Sequence, residues 1–170
     1  MGELLINIFG KPHGIIIFQL VAATRFTIYL SLVAFGGGGV VAAMITFLTI
    51  SPQPVLRKIA QTYIWFFQSI PLLMLLFLTG LGVPRLIGVD VNPWTAATIS
   101  LVLFTSAYLA EVWRGAIAAV LPGQWEAGFA LNISFVSTLK KVILPQAIRY
   151  GLAPTVGFMV QIIKGTGSLL

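Results

Sequence analysis

An all-α membrane protein is the fold class this sequence predicts, on two observations. Hydrophobic residues make up 58% of the chain and charged residues 8%, with a mean hydropathy of +1.01. That leaves too little charged surface for a water-soluble domain of this size. Uncharged apolar runs at 26–56, 59–84 and 91–110 each reach the ~20 residues a helix needs to cross a bilayer. A fourth run, 144–163, has the length if Arg149 lies near one end. Four spans are therefore expected.

Taken in order, residues 1–25 read as an amino-terminal interfacial segment and 26–170 as the transmembrane domain. Lys11 and the apolar stretch 15–23 mimic a short signal peptide, but no cleavage pattern follows and apolar character resumes directly after Arg25. The lone histidine, His13, reads as a solvated or headgroup-level residue. Within the first span, Gly36 to Gly39 is followed by neither Lys nor Ser/Thr, so it is no phosphate-binding loop. Its expected role is close helix packing, where missing side chains let backbones approach. The second run is interrupted by Gln68, Ser69 and Pro71, and the third ends at Glu111 and Arg114. Tyr63, Trp65 and Trp94 stand where interfacial aromatic anchors are expected. The fourth run carries Pro145, Gly151, Pro154 and Gly157 and is expected to kink.

The longest stretch between apolar runs, about 120–144, is helix-patterned. Pro122-Gly123 breaks the third helix. From there Trp125, Phe129, Ile133 and Val136 recur at the spacing of one helix face. Ser134 stands where an N-cap would open a second short helix, and Lys140 and Lys141 stand near its carboxyl end. Periodicity alone fits an amphipathic helix on the membrane surface equally well.

Ten Lys and Arg against four Asp and Glu give +6, and their placement matters more than the sum. With the amino terminus outside, Arg57, Lys58, Arg114, Lys140, Lys141 and Arg149 face the cytoplasm and Lys11, Arg25, Arg85 and Lys164 do not. This follows the positive-inside rule and makes the 120–144 segment cytoplasmic. The bilayer, rather than nucleic acid, is the partner this charge implies. One histidine, four scattered acids and no cysteine offer no catalytic constellation, no metal site and no disulfide. Any energy must come from another polypeptide.

Glu126-Ala127-Gly128-Phe129-Ala130-Leu131-Asn132, then Val142-Ile143-Leu144-Pro145, resembles the EAA motif of ABC importer permeases: E-A-A, three residues, G, nine residues, I, one residue, L-P. Asn132 holds the glycine position, where a left-handed backbone is expected, and Asn is the residue with a side chain that tolerates it best. The words around Tyr108 to Ile117, Pro122 to Gln124 and Leu144 to Arg149 are similar to the polar amino-acid branch of that family. The similarity runs over roughly 23–170.

The resemblance implies a type I ABC importer transmembrane fold in a multi-pass protein of the bacterial inner membrane. It also implies a coupling segment at about 120–144 that docks on cytoplasmic ABC ATPase subunits through Glu126, Ala127, Gly128, Phe129, Asn132, Leu144 and Pro145. ATP is then bound by the partner and no cofactor by this chain. The further partners implied are a second permease subunit, the same or related, and an extracytoplasmic amino-acid-binding protein. Candidate substrate-pathway residues are Gln68, Ser69, Glu111, Pro154 and Gly157. For Glu111 the simpler alternative is an ion pair with Arg114 on the same helix face. Gln68-Ser69-Ile70-Pro71 is worded most like acidic amino-acid permeases, but Gln68 replaces their arginine, which weakens an anionic substrate. Relatives continue beyond a lysine-threonine-serine-leucine pattern into a final span, whereas this chain reads Lys164 to Leu170 with Gly167 inserted. The expectation is therefore a chain without the family's final span. The alternative function is a truncated or non-transporting structural subunit of a membrane assembly.

Overall fold

The computed structural model describes residues 11–167, and among them every regular element is helical. Residues 1–10 of the expected interfacial segment and 168–170 at the other end lie outside the described residues. In order, the elements are α1 (Lys11–Thr49), α2 (Pro54–Ser69), α3 (Leu72–Phe77), a π-helical turn (Leu78–Gly82), α4 (Val83–Ile87), α5 (Pro93–Ala118), α6 (Pro122–Ala130), α7 (Phe135–Thr138), a second π-helical turn (Leu139–Ile143) and α8 (Leu144–Gly167).

Among the described residues two helical stretches, Thr24–Thr49 and Pro93–Ala118, are long and apolar enough to cross a membrane. The second apolar run breaks at the interruption that Gln68, Ser69 and Pro71 make in it. Pro54–Ser69 and Leu72–Ile87 meet at 98°, because Pro71 forces Ile70 out of helical geometry, to φ −97° and ψ 122°. The fourth run is α8, whose 24 residues span about 36 Å at 1.5 Å per residue. Gln146, Arg149, Gln161 and Lys164 dilute its apolar character. Pro154, the position expected to kink it, stands inside α8, which continues helically on both sides.

Apolar side chains face outward all round the bundle, as the bilayer requires; Leu86, Trp65 and Met44 are all largely exposed. The buried core is built from small and branched residues, Leu30, Ala34, Ala42, Ile64, Leu101, Leu109, Ala110, Phe158 and Ile162. Helix α5 stands at its centre, and its most extensive partner is α1. Polar bonds tie each neighbour to α5. Thr46 Oγ1 donates to the Ala110 carbonyl at 3.3 Å, and Tyr63 and Ser106 share a hydroxyl bond of 2.7 Å. Thr79 bonds Ser100, and Trp113 Nε1 donates to Thr155 Oγ1 at 3.0 Å. In lipid each such bond contributes about 0.6 to 2 kcal/mol. Tyr63 thus bridges α2 and α5.

The expected glycine packing is carried by Gly38. A Cβ there would lie 2.8 Å from Cβ and Cγ2 of Thr105 and 3.2 Å from the Val102 carbonyl oxygen, whereas at Gly36 it would meet nothing within 4 Å.

Candidate functional site

The segment between α5 and α8 is a compact, self-packed unit. Pro122 opens α6 at its first turn, where its missing N–H costs nothing. The helix ends in a Schellman closure. Ile133 N–H donates to the Gly128 carbonyl at 3.0 Å and Asn132 N–H to the Phe129 carbonyl at 2.9 Å. Asn132 sits at φ 54°, alone in this region among the described non-glycine residues, so the left-handed turn expected there is present. Ser134 precedes α7 in extended conformation but makes no side-chain cap bond. Its hydroxyl donates instead to Ser137 Oγ at 3.0 Å.

The turn folds α7 back across α6 at Gly128. A Cβ on Gly128 would lie 2.6 Å from both Cγ2 and Oγ1 of Thr138, a fully buried residue. Trp125 and Phe135 stack across the same crossing, their centroids 5.5 Å apart. Beneath them Ile117, Val120, Leu139, Ile143 and Ala147 form a second apolar cluster, with Trp125, Phe135, Val142 and Leu144 packed against it. The cluster joins the segment to the ends of α5 and α8. Gln146 Nε2 adds bonds to the Val142 carbonyl (2.9 Å) and to Gln124 Oε1 (3.4 Å).

Among the residues left outward are Glu126, Ala127, Phe129, Ala130, Leu131 and Asn132. Phe129 is 57% and Leu131 73% exposed. The spacing of Trp125, Phe129, Ile133 and Val136 is divided at Asn132 into the two short helices expected on either side of it. Helix α6 stops at Ala130, so the spacing spans two helices; Trp125 packs inward while Phe129 and Val136 are exposed. Of the expected site residues, Gly128 is buried in the crossing, Leu144 is half-buried and Pro145 is exposed. Asn132→Val is expected to cost about 1–2 kcal/mol through its left-handed backbone, read as a lowered Tm, while Asn132→Gly leaves Tm unchanged or higher.

The candidate pathway residues are distributed over three helices, Gln68 and Ser69 on α2, Glu111 on α5, and Pro154 and Gly157 on α8. Gln68 Nε2 donates to the Ala107 carbonyl at 3.5 Å, and Ser69 Oγ donates back to the Trp65 carbonyl at 2.7 Å. Ser69 therefore satisfies backbone at the bend, and Gln68 reaches across to α5. Glu111 is held by Arg114, whose Nε donates to Oε2 at 2.8 Å while Nη2 bonds Oε1. The simpler of the two readings of Glu111 is thus present as geometry. Pro154 and Gly157 are exposed on α8, away from the other three in the chain. Sequence reasoning did not single out Thr138 or Trp113. Their partners lie on other elements, and no periodicity marks them.

The family described as binding-protein-dependent transport system inner membrane component matches residues 36–170. The chain is 37% identical to YckA of Bacillus subtilis, a probable amino-acid ABC transporter permease protein, over 83% of this chain and 62% of that one. It is 33% identical to the L-cystine transport system permease protein TcyB of the same species, over 83% of this chain and 60% of that one. It therefore spans less than two thirds of the length of either relative. A crystal structure of an amino acid ABC transporter with histidines superposes with a TM-score of 0.81 at 28% identity, covering 88% of this chain and 71% of the other.

Proposed function

We propose a function from one premise: this chain belongs to the family of inner membrane components of binding-protein-dependent transport systems. The reading is a permease subunit of an ATP-driven importer of polar amino acids, working by alternating access in the bacterial inner membrane. The relatives' amino-acid transport names support the substrate class. Within it, acidic amino acids rest on the wording of residues 68–71 alone, and the neutral Gln68 speaks against them.

One observation carries the mechanism. The 120–144 segment presents Glu126, Phe129, Leu131 and Asn132 outward while its other side is locked to the ends of α5 and α8. Such a unit transmits a push as a rigid body, because its core is close-packed rather than compliant. In this reading the ATPase groove receives the exposed face at the cytoplasmic side. ATP hydrolysis belongs to that partner, and this chain contributes no catalytic residue. Closure of two ATPases moves the segment, and α5, bonded to every neighbouring helix, carries the movement to the translocation path between this chain and a second permease subunit. A soluble binding protein delivers the amino acid to the outer face. Gln68, Ser69, Glu111, Pro154 and Gly157 are the pathway residues proposed for test.

Glu126→Arg is expected to abolish ATPase retention when the tagged chain is purified in mild detergent from cells co-expressing the neighbouring ATPase. The variant remains in the membrane fraction at unchanged abundance. Undiminished co-purification of the ATPase by Glu126→Arg overturns the docking assignment.

A further inference from the structure

A second cleft lies far along the chain from the coupling segment, between the early part of α1 and the start of α5. It has a volume of about 520 Å³ and is lined by Arg25, Phe26, Tyr29, Trp94, Thr95 and Thr98 among others. Its wall is ordered by aromatic contacts. The Phe26 and Trp94 rings lie 5.1 Å apart, and the Arg25 guanidinium stands 5.5 Å from the Phe26 centroid. Asn92 caps α5 here by accepting a hydrogen bond from Trp94 N–H at 2.9 Å, which holds the tryptophan at the rim.

Charge and hydroxyls set the chemistry. Among the described residues the only ion pair is that of Glu111 with Arg114, and neither Asp90, in the turn before Asn92, nor any other carboxylate of those residues pairs with Arg25. Three hydroxyls, from Tyr29, Thr95 and Thr98, share the cleft with the guanidinium. The cleft begins where the apolar stretches of α1 (from Thr24) and α5 (from Pro93) begin. That is the level at which Trp and Tyr mark a membrane–water interface. An exposed guanidinium, hydroxyl donors and an aromatic wall at this depth match the phosphate diester and glycerol of a lipid headgroup, with the acyl chains running down the exposed apolar face of α1.

We propose that this cleft is a binding site for an anionic glycerophospholipid, with Arg25 pairing the headgroup phosphate. The site is independent of which solute the protein carries. Charge complementarity selects the occupant: an anionic lipid leaves the complex neutral at this point, whereas the ammonium of a zwitterionic lipid is set against the guanidinium.

The test uses the full chain, delipidated in mild detergent and titrated with equal amounts of phosphatidylglycerol and phosphatidylethanolamine, with bound lipid counted by native mass spectrometry. Phosphatidylglycerol is expected to be retained preferentially. Arg25→Gln reduces that preference about fivefold, Arg25→Lys keeps most of it, and Arg85→Gln leaves it unchanged. A preference that survives Arg25→Gln, or equal retention of both lipids by the unaltered chain, overturns the proposal. A second reading does not depend on the Arg25 variants folding: quenching of Trp94 fluorescence by brominated lipid, taken as the difference between the unaltered chain and Trp94→Phe. Stronger quenching by brominated phosphatidylglycerol than by brominated phosphatidylcholine supports the site, and equal quenching overturns it.

Discussion

Gly38→Leu is expected to leave no monodisperse protein in mild detergent, while Gly36→Leu, two residues away, accumulates normally. The difference is set by what each side chain meets. A single Cβ at Gly38 already intrudes to 2.8 Å on Thr105 and 3.2 Å on the Val102 carbonyl. Thr105 is fully buried and Val102 offers backbone, so neither yields. The contact lies in the pairing of α1 with α5, the most extensive in the molecule, and in lipid no hydrophobic force compensates for separated helices. Gly38→Ala is the graded version, with an overpacking cost of about 1–3 kcal/mol measured as a lowered Tm. At Gly36 nothing lies within 4 Å, so alanine there is neutral or stabilising by up to about 1 kcal/mol from helix propensity. Equal Tm values for the two alanine variants would refute this account of the α1–α5 contact.

Gly128→Ala is the second large effect, and it separates folding of the bundle from function of the coupling segment. The added methyl would lie 2.6 Å from two atoms of Thr138, and the crossing of α6 and α7 must open. The variant should insert and stay monodisperse, because α1, α2, α5 and α8 do not depend on this contact. Its ATPase retention and transport are expected to fall at least tenfold. Thr138→Ala should rescue it: the closest atom remaining is Cβ, at 3.2 Å. Alone, Thr138→Ala is expected to be nearly neutral, since Thr138 Oγ1 is a buried hydroxyl without a hydrogen-bond partner and its removal leaves nothing unsatisfied. The double-mutant cycle therefore carries the test. Additive losses in place of rescue would show that Gly128 matters for a reason other than Thr138.

What could be read from the chain alone divides along physical lines. Helices lay where apolar runs of bilayer length lay, because the bilayer demands that length locally. Asn132 was legible because a left-handed turn selects residue type at one position, and Glu111 with Arg114 because three residues apart on a helix is a contact by construction. The 98° bend was half-visible. Pro71 stood in view, but a proline in an apolar run reads equally as a mild kink until its neighbours show whether the chain can turn. The division of the 120–144 segment into two short helices was legible at the residue that signalled the turn, because Asn132 breaks the spacing that runs from Trp125 to Val136. Gly128 on Thr138, Trp113 on Thr155 and Tyr63 on Ser106 had no sequence signal at all. Each joins residues on different elements, and tertiary proximity leaves no period in one sequence.

The length of α1 sets a condition on its surroundings. Its apolar stretch Thr24–Thr49 is 26 residues long, or about 39 Å, against a hydrocarbon layer of about 30 Å. A surplus of roughly 9 Å is absorbed by leaning the helix, or by thickening the lipid around it. Because α1 is clamped to α5 at Gly38, it cannot lean alone; any change of angle is shared by the pair. A change in membrane thickness is therefore expected to act on α1 and α5 as a pair.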